Sequence, residues 1–359
     1  MGKIIVVGEL HQDLYYKTTF FSDLSESLSS TLWAFLEANP QPDYAALQTA
    51  INTVIAETPK KIPGESFAVR GGNGNNSAEL LAKFGLPVQL LTVVGRGVEW
   101  MRPQLEDLGI DPTTVFEKDA PTPISTIVED PKFTKIFVAP NLKAEMNFDG
   151  VELPSNLFED ADLFFATPMD FKYADLLRQA VESGSGTIAA FTLETQKIPD
   201  LPALDACVTV TADLMFANLD DCALIAGAPI QSDGEWESVE QIDNQFAKYA
   251  TTRVYTWGKR GAYICSRNQI RAHVPSYEVT VVNRTGAGDT FAAGFVAKLD
   301  ELLLQRQDPR DLPPEDLELF WKQCAEYGAA AAAFRISHDY APAKKELEKY
   351  FGELGPLFD

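Results

Sequence analysis

At 359 residues the chain is long enough for one large α/β domain with an appendage and a substantial buried core. Its 45% hydrophobic content, with ordinary Gly and Pro levels, excludes collagen-like, disordered and low-complexity classes. Asp and Glu total 52 against 30 Lys and Arg, a net charge of −22 with no basic run. That balance argues against nucleic acid and an anionic membrane as partners, and it obliges any anionic nucleotide to find a local positive site made of backbone amides or metal.

In chain order, Lys3 to Val7 is a short, wholly apolar, β-branched run stopped by Gly8, the pattern of a strand in the middle of a parallel sheet. Leu14 to Phe20 is aromatic but partly polar and reads as a strand of a sheet with one face open to water. Helical spacing of Leu24, Leu28, Leu32, Phe35 and Leu36, and again of Ala46, Ala50, Val54 and Ile55, predicts a helical insertion over residues 22–57. Ser66 to Arg70 returns to a strand, Asn76 to Lys83 is a helix closed by Gly85, and Val88 to Val94 is a buried strand. Thr122 to Val128 and Lys135 to Val138 flank Pro131-Lys132 as a hairpin whose strands are expected to pair with those around Tyr15 and Phe67.

From there, apolar strands at 163–167, 187–192, 207–211 and 253–256 alternate with helices at 174–181, 220–226 and 239–249. This is the pattern of a parallel sheet covered by helices on both faces. Residues 305–315, rich in Asp and Pro, read as a loop between two late helices. Cys207, Cys222, Cys265 and Cys324 form no CxxC pair and read as reduced thiols. The apolar start is too short for a signal peptide and no stretch is long enough to span a bilayer, so a cytoplasmic protein is expected.

The segment from Val281 to Phe295 carries the strongest chemical signal: a strand end, the turn Thr285-Gly286-Ala287-Gly288, then Asp289 opening an apolar helix. Gly286 and Gly288 permit a turn whose N–H groups converge on one anion at the positive end of the helix dipole, a hole for a phosphoryl group. Asp289 stands where a base would take the proton of an attacking hydroxyl, and the dipole is expected to hold its pKa down. Helix capping by Asp289 is the competing reading. A second turn, Arg70 to Ala78, contains Gly71, Gly72, Gly74 and Asn76 and suits either a hinge beside a polyol or an ordinary Gly-Asn turn.

Taken together these motifs make the chain resemble the ribokinase-like (PfkB) family of carbohydrate kinases over nearly its full length. Thr285-Gly-Ala-Gly-Asp289 resembles that family's C-terminal signature and Gly71 to Ala78 its N-terminal one. Gly8 to Asp13 resembles the first-strand substrate loop, and Thr256-Trp-Gly258-Lys-Arg-Gly261 the nucleotide-side turn. The resemblance implies a three-layer α/β/α domain with a mostly parallel sheet (residues 1–13, 71–118 and 139–359) and a small β lid (14–70 and 119–138) carrying the helical insertion. It implies ATP- and Mg²⁺-dependent phosphorylation of a hydroxyl on a sugar or sugar-like molecule, with lid closure excluding water.

By the same resemblance, Asp13 binds substrate hydroxyls in a pocket shared with His11, Gly72, Asn76 and Asn141. Gly286, Ala287 and Gly288 form the anion hole with Asp289 as base, and Thr256, Gly258, Gly261, Thr285 and Asn218 contact the nucleotide. Asp221, where the family has Glu, lies near the metal and suits water-mediated Mg²⁺ binding; capping by Asn218 with Asp220 and Asp221 on the dipole is the alternative. Asn283-Arg284-Thr285 replaces the usual Asp-Thr-Thr and leaves a monovalent cation requirement open. His11 replaces an Asn, as a pocket donor or a plain loop histidine. A homodimer through the lid, nucleosides as substrates, and a catalytically weak regulatory relative are the remaining alternatives. No G-x-G-x-x-G follows the first strand and no P-loop is present.

Overall fold

The computed structural model describes residues 2–38, 44–184, 186–230, 235–267, 270–282, 286–338 and 340–354. In chain order the elements are β1 (Lys3–Val7), β2 (His11–Lys17), α1 (Phe20–Ala38), α2 (Tyr44–Ala56), β3 (Glu65–Gly71), α3 (Asn73–Lys83), β4 (Val88–Arg96), α4 (Met101–Asp107), β5 (Ile110–Asp111), β6 (Val115–Pro121), β7 (Ile124–Asp130), β8 (Phe133–Phe137), α5 (Pro140–Glu145) and β9 (Ala161–Ala166). They continue with α6 (Ala174–Glu182), β10 (Ile188–Leu193), α7 (Leu201–Cys207), β11 (Ala212–Asn218), α8 (Leu219–Ala226), α9 (Glu235–Phe246), β12 (Ala250–Thr256), β13 (Ala262–Ser266), β14 (Arg271–Val274), α10 (Ala287–Leu304), α11 (Pro314–Ser337) and α12 (Lys344–Leu354). The chain divides into two compact units, Met1–Leu10 with Gly72–Ala120 and Met146–Asp359, and His11–Gly71 with Pro121–Glu145.

The larger unit is a three-layer α/β/α sandwich. Its sheet runs β14-β13-β12-β11-β10-β9-β1-β4-β5, with β6 also paired to β4. Pairing is parallel from β12 through β4 and antiparallel at β12–β13 and β13–β14. Because successive side chains of a strand point to opposite faces, the apolar runs feed two cores. Ile4, Val6, Phe165 and Phe216 join Phe295 of α10 and Trp321 of α11 on one face. Ile5, Val7, Phe164 and Met215 join Leu177 of α6 and Ile242 of α9 on the other. All four cysteines are buried free thiols.

One expected strand is wrong: residues 207–211 are not a strand, and β11 lies at Ala212–Asn218 instead. The Asp200 carboxylate accepts the Ala203 N–H at 2.8 Å and starts α7, which carries the chain to Cys207. Burial then places Leu214, Met215 and Phe216 in the sheet, overriding the β-branched Val208-Thr-Val run. The helix expected over 76–83 begins three residues earlier, at Asn73, and the one expected over 239–249 spans Glu235–Phe246.

The smaller unit holds a sheet ordered β3-β2-β7-β8, antiparallel at β2–β3 and β7–β8 and parallel at β2–β7. Tyr15 stacks on its cross-strand partner Phe67 with ring centroids 5.1 Å apart. The expected insertion is α1 and α2, and α1 is tied to the sheet where the Ser22 N–H donates to the Asp130 carboxylate at 3.0 Å. Among the described residues no helix is long and apolar enough to cross a membrane.

Candidate active site

The carboxyl ends of parallel strands are where an open α/β sheet gathers its loops, and here backbone is packed against backbone. A Cβ on Gly8, just past β1, would lie 2.4 Å from the Thr167 carbonyl oxygen and 2.6 Å from Gly74 Cα. Only glycine at both positions lets the first turn of α3 approach β1 this closely. Hydrogen bonds fix the junction: Thr92 Oγ1 donates to the Gly8 carbonyl at 2.6 Å, the Asn75 N–H to the Glu9 carbonyl at 3.1 Å, and the Thr167 N–H to the Val7 carbonyl at 2.9 Å. The Glu9 carboxylate receives Lys197 Nζ at 2.6 Å and Lys172 Nζ at 3.3 Å, and Lys197 also reaches Asp170 at 3.1 Å. Burial lowers the Lys172 pKa despite the carboxylates around it.

Beside this network lies a group of carboxylates that resist ionisation. Glu194, one residue past β10, accepts Asn73 Nδ2 at 3.2 Å. Burial, then the charges of Asp289, Asp221 and Glu9, push its pKa up to about 7 against the pull of Lys197. Burial alone lifts Asp289 to about 6, and burial followed by Asp220 raises Asp221. The sequence reasoning missed Glu194, whose available signal was a carboxylate at the carboxyl end of a wholly buried strand. Where the helix dipole was expected to hold the Asp289 pKa down, burial raises it instead.

Gly286 caps α10 with φ 78°, a left-handed conformation that glycine supplies at little cost. The first bond back to it is from the Thr290 N–H at 2.9 Å, so the N–H groups of Ala287, Gly288 and Asp289 precede the helix's own hydrogen bonding. Gly288 serves differently from expectation. Its φ is not left-handed, and a Cβ there would meet nothing within 4 Å, so a side chain at 288 would extend into open space. Thr285, with Asn283 and Arg284, lies outside the described residues.

Asn218 and Thr256 are register partners at the ends of β11 and β12. Asn218 Oδ1 accepts the Asp220 N–H at 2.8 Å and the Asp221 N–H at 3.4 Å, which makes it the N-cap of α8. Gly258 (φ 52°) and Gly261 (φ 83°) shape the following turn, and a Cβ on Gly261 would fall 2.1 Å from the Val274 carbonyl oxygen. The Arg260 guanidinium covers the Trp257 ring at 4.1 Å. Gly72, buried with φ 97°, caps α3, and Asn76 stands exposed one turn on, its Oδ1 accepting Asn75 Nδ2 at 3.2 Å.

In the smaller unit, His11 is a buried strand residue rather than a loop histidine. Its Nε2 lies 3.1 Å from Asp13 Oδ1 and 3.0 Å from Ser125 Oγ. Gly71 admits the Asp13 carboxylate, which a Cβ would meet at 2.2 Å. Asn141 is exposed on α5. Among the described residues no three His, Cys, Asp or Glu side chains are close enough to hold a metal ion. Among the carboxylates that resist ionisation, Asp221 and Glu194 are those whose oxygens could hold a hydrated Mg²⁺.

Comparison with known proteins identifies the family and the fold. Residues 45–346 match the family model described as pfkB family carbohydrate kinase. A ribokinase of Staphylococcus aureus is 30% identical over 90 residues, 25% of this chain and 28% of that protein's length. A deoxyribokinase of Salmonella typhi is 26% identical over 238 residues, 63% of this chain and 72% of the relative. Among solved structures, ribokinase from Giardia lamblia superposes with TM-score 0.70 at 18% identity, covering 99% of both chains. Arabidopsis thaliana ribokinase, solved with ribose and ATP, gives 0.67 at 16% identity over 98% of each.

Proposed function

Because the chain belongs to the pfkB family of carbohydrate kinases, we propose that it transfers the γ-phosphoryl group of ATP to a hydroxyl of a sugar or sugar-like alcohol, with Asp289 as base. The observation that carries this reading is the first turn of α10: three N–H groups ahead of the helix's first internal hydrogen bond, with Gly288 open to its surroundings and Asp289 in the same turn. The acceptor oxygen attacks phosphorus as its proton passes to Asp289, and the bond to the bridging oxygen breaks to leave ADP. The N–H groups of Ala287, Gly288 and Asp289 receive the charge that spreads over the phosphoryl oxygens. A Mg²⁺ held through water by Asp221 and Glu194 would neutralise charge on the nucleotide phosphates. Asn218, Thr256 and the Gly258–Gly261 turn are assigned to the nucleotide. Asp13, positioned by His11 and Gly71, is assigned to two acceptor hydroxyls, which one carboxylate can receive together.

The test is ADP release with ribose, 2-deoxyribose, other sugars, sugar phosphates and nucleosides. Ribose and deoxyribose come first because the relatives named above are a ribokinase and a deoxyribokinase. Asp289→Asn is expected to keep ATP and sugar affinity and to lose about 10²–10⁴-fold in kcat. Near wild-type turnover by this variant would refute the assignment, and saturable ATP binding without turnover on any alcohol would favour a regulatory protein.

A further inference from the structure

The α10–α11 pair runs antiparallel along a seam of small residues. A Cβ on Gly294 would fall 2.8 Å from Ala331 Cβ and 3.1 Å from Gly328 Cα, and one on Gly328 would fall 2.7 Å from the Phe291 carbonyl oxygen. Contact this close fixes the register of the two helices, so that the carboxyl end of α11 arrives beside the amino end of α10. The residue delivered there is Arg335, one turn beyond Ala331, whose Nε lies 3.7 Å from where a Gly286 Cβ would be.

Its guanidinium is held from the other side. Nη1 donates to the His338 carbonyl at 3.0 Å, and the His338 ring stacks on Phe334 with centroids 4.0 Å apart. Among the described residues no carboxylate pairs with Arg335. A cation held against the positive end of a helix is electrostatically favoured when an anion joins it there.

We infer that Arg335 is a positioning residue for phosphoryl transfer: a fixed cation behind the Gly286 turn that holds the turn in shape and adds positive charge to the anion hole. This rests on the kinase reading above. Arginine suits the task because its charge is permanent and its planar fork can donate to the His338 carbonyl while another edge faces the turn.

The test compares Arg335→Met, which keeps bulk and loses charge, with Arg335→Lys and with Arg335→Ala assayed with and without millimolar guanidinium chloride. With the sugar found by ADP release, Arg335→Met is expected to lose about 100-fold in kcat with KM for the sugar within about twofold. Arg335→Lys should recover most of the loss, and guanidinium should raise the rate of Arg335→Ala but not of wild type. A charge-independent result, with Arg335→Met as active as wild type at equal melting temperature, overturns the inference. If wild type phosphorylates no alcohol, the kinase reading has failed and binding decides the role of Arg335. Arg335→Met should then bind the non-hydrolysable analogue AMP-PNP about tenfold more weakly while adenosine affinity is unchanged. Equal loss for both ligands, or none, overturns it.

Discussion

Asp289 carries opposite burdens as a base and as a folded residue. With its pKa raised to about 6, the native state holds a proton that the unfolded chain releases near pH 4. Between these values the folded protein binds more protons, so stability falls as pH rises and levels off above about pH 7. Asp289→Asn should therefore melt higher than wild type at pH 7.5, by on the order of 2 kcal/mol, with the gap closing toward pH 4. In wild type, kcat/KM should climb through pH 6–7, spread by Glu194 titrating near 7 beside it. Equal melting of the two proteins at pH 7.5 and pH 4 would show that burial does not strain this carboxylate. Asp289 was legible in the sequence because the Gly-rich turn announces it. Glu194 was not, because its importance comes from burial and from the charge of Asp289, which is distant in sequence, and not from any local motif.

At the scale of elements, glycines that look alike in sequence divide by mechanism. Gly286 turns the chain and Gly74 admits a neighbouring backbone, whereas Gly288 is an ordinary helical residue facing open space. Gly288→Ala should consequently stabilise the fold by about 0.5–1 kcal/mol, since alanine is the better helix former. It should also place a methyl group where the phosphoryl oxygens are proposed to sit and lower kcat by at least about tenfold. Thermal melting and steady-state kinetics on one preparation separate these effects; a variant both stabler and fully active would place the phosphoryl group elsewhere. The misplaced strand has the same lesson at larger size. Residues 207–211 carry β-branched residues, yet Asp200 commits the preceding segment to α7, and burial of Leu214 to Phe216 moves the strand five residues on. Periodicity revealed the alternation of strands and helices; boundaries depended on caps and on which residues the two cores could take.

For the whole molecule the layered architecture was readable because nearly every central strand is apolar on both faces, which only a sheet covered on both sides can satisfy. Charge was equally readable, and its consequence is kinetic. A net charge of −22 repels MgATP on approach, while the helix end and Arg335 attract it only within a few ångströms. The Debye length shrinks from about 30 Å at 0.01 M salt to about 8 Å at 0.15 M, so added salt weakens the long-range repulsion far more than partly buried short-range attraction. Raising potassium chloride from 10 to 150 mM should therefore increase kcat/KM for MgATP by about twofold or more, and leave that for a neutral sugar at saturating MgATP nearly unchanged. A tetramethylammonium chloride series should reproduce the effect, since screening depends on ionic strength and not on the cation. If kcat/KM for MgATP falls instead over that range, local attraction governs nucleotide capture, and the acidic surface has no part in its rate.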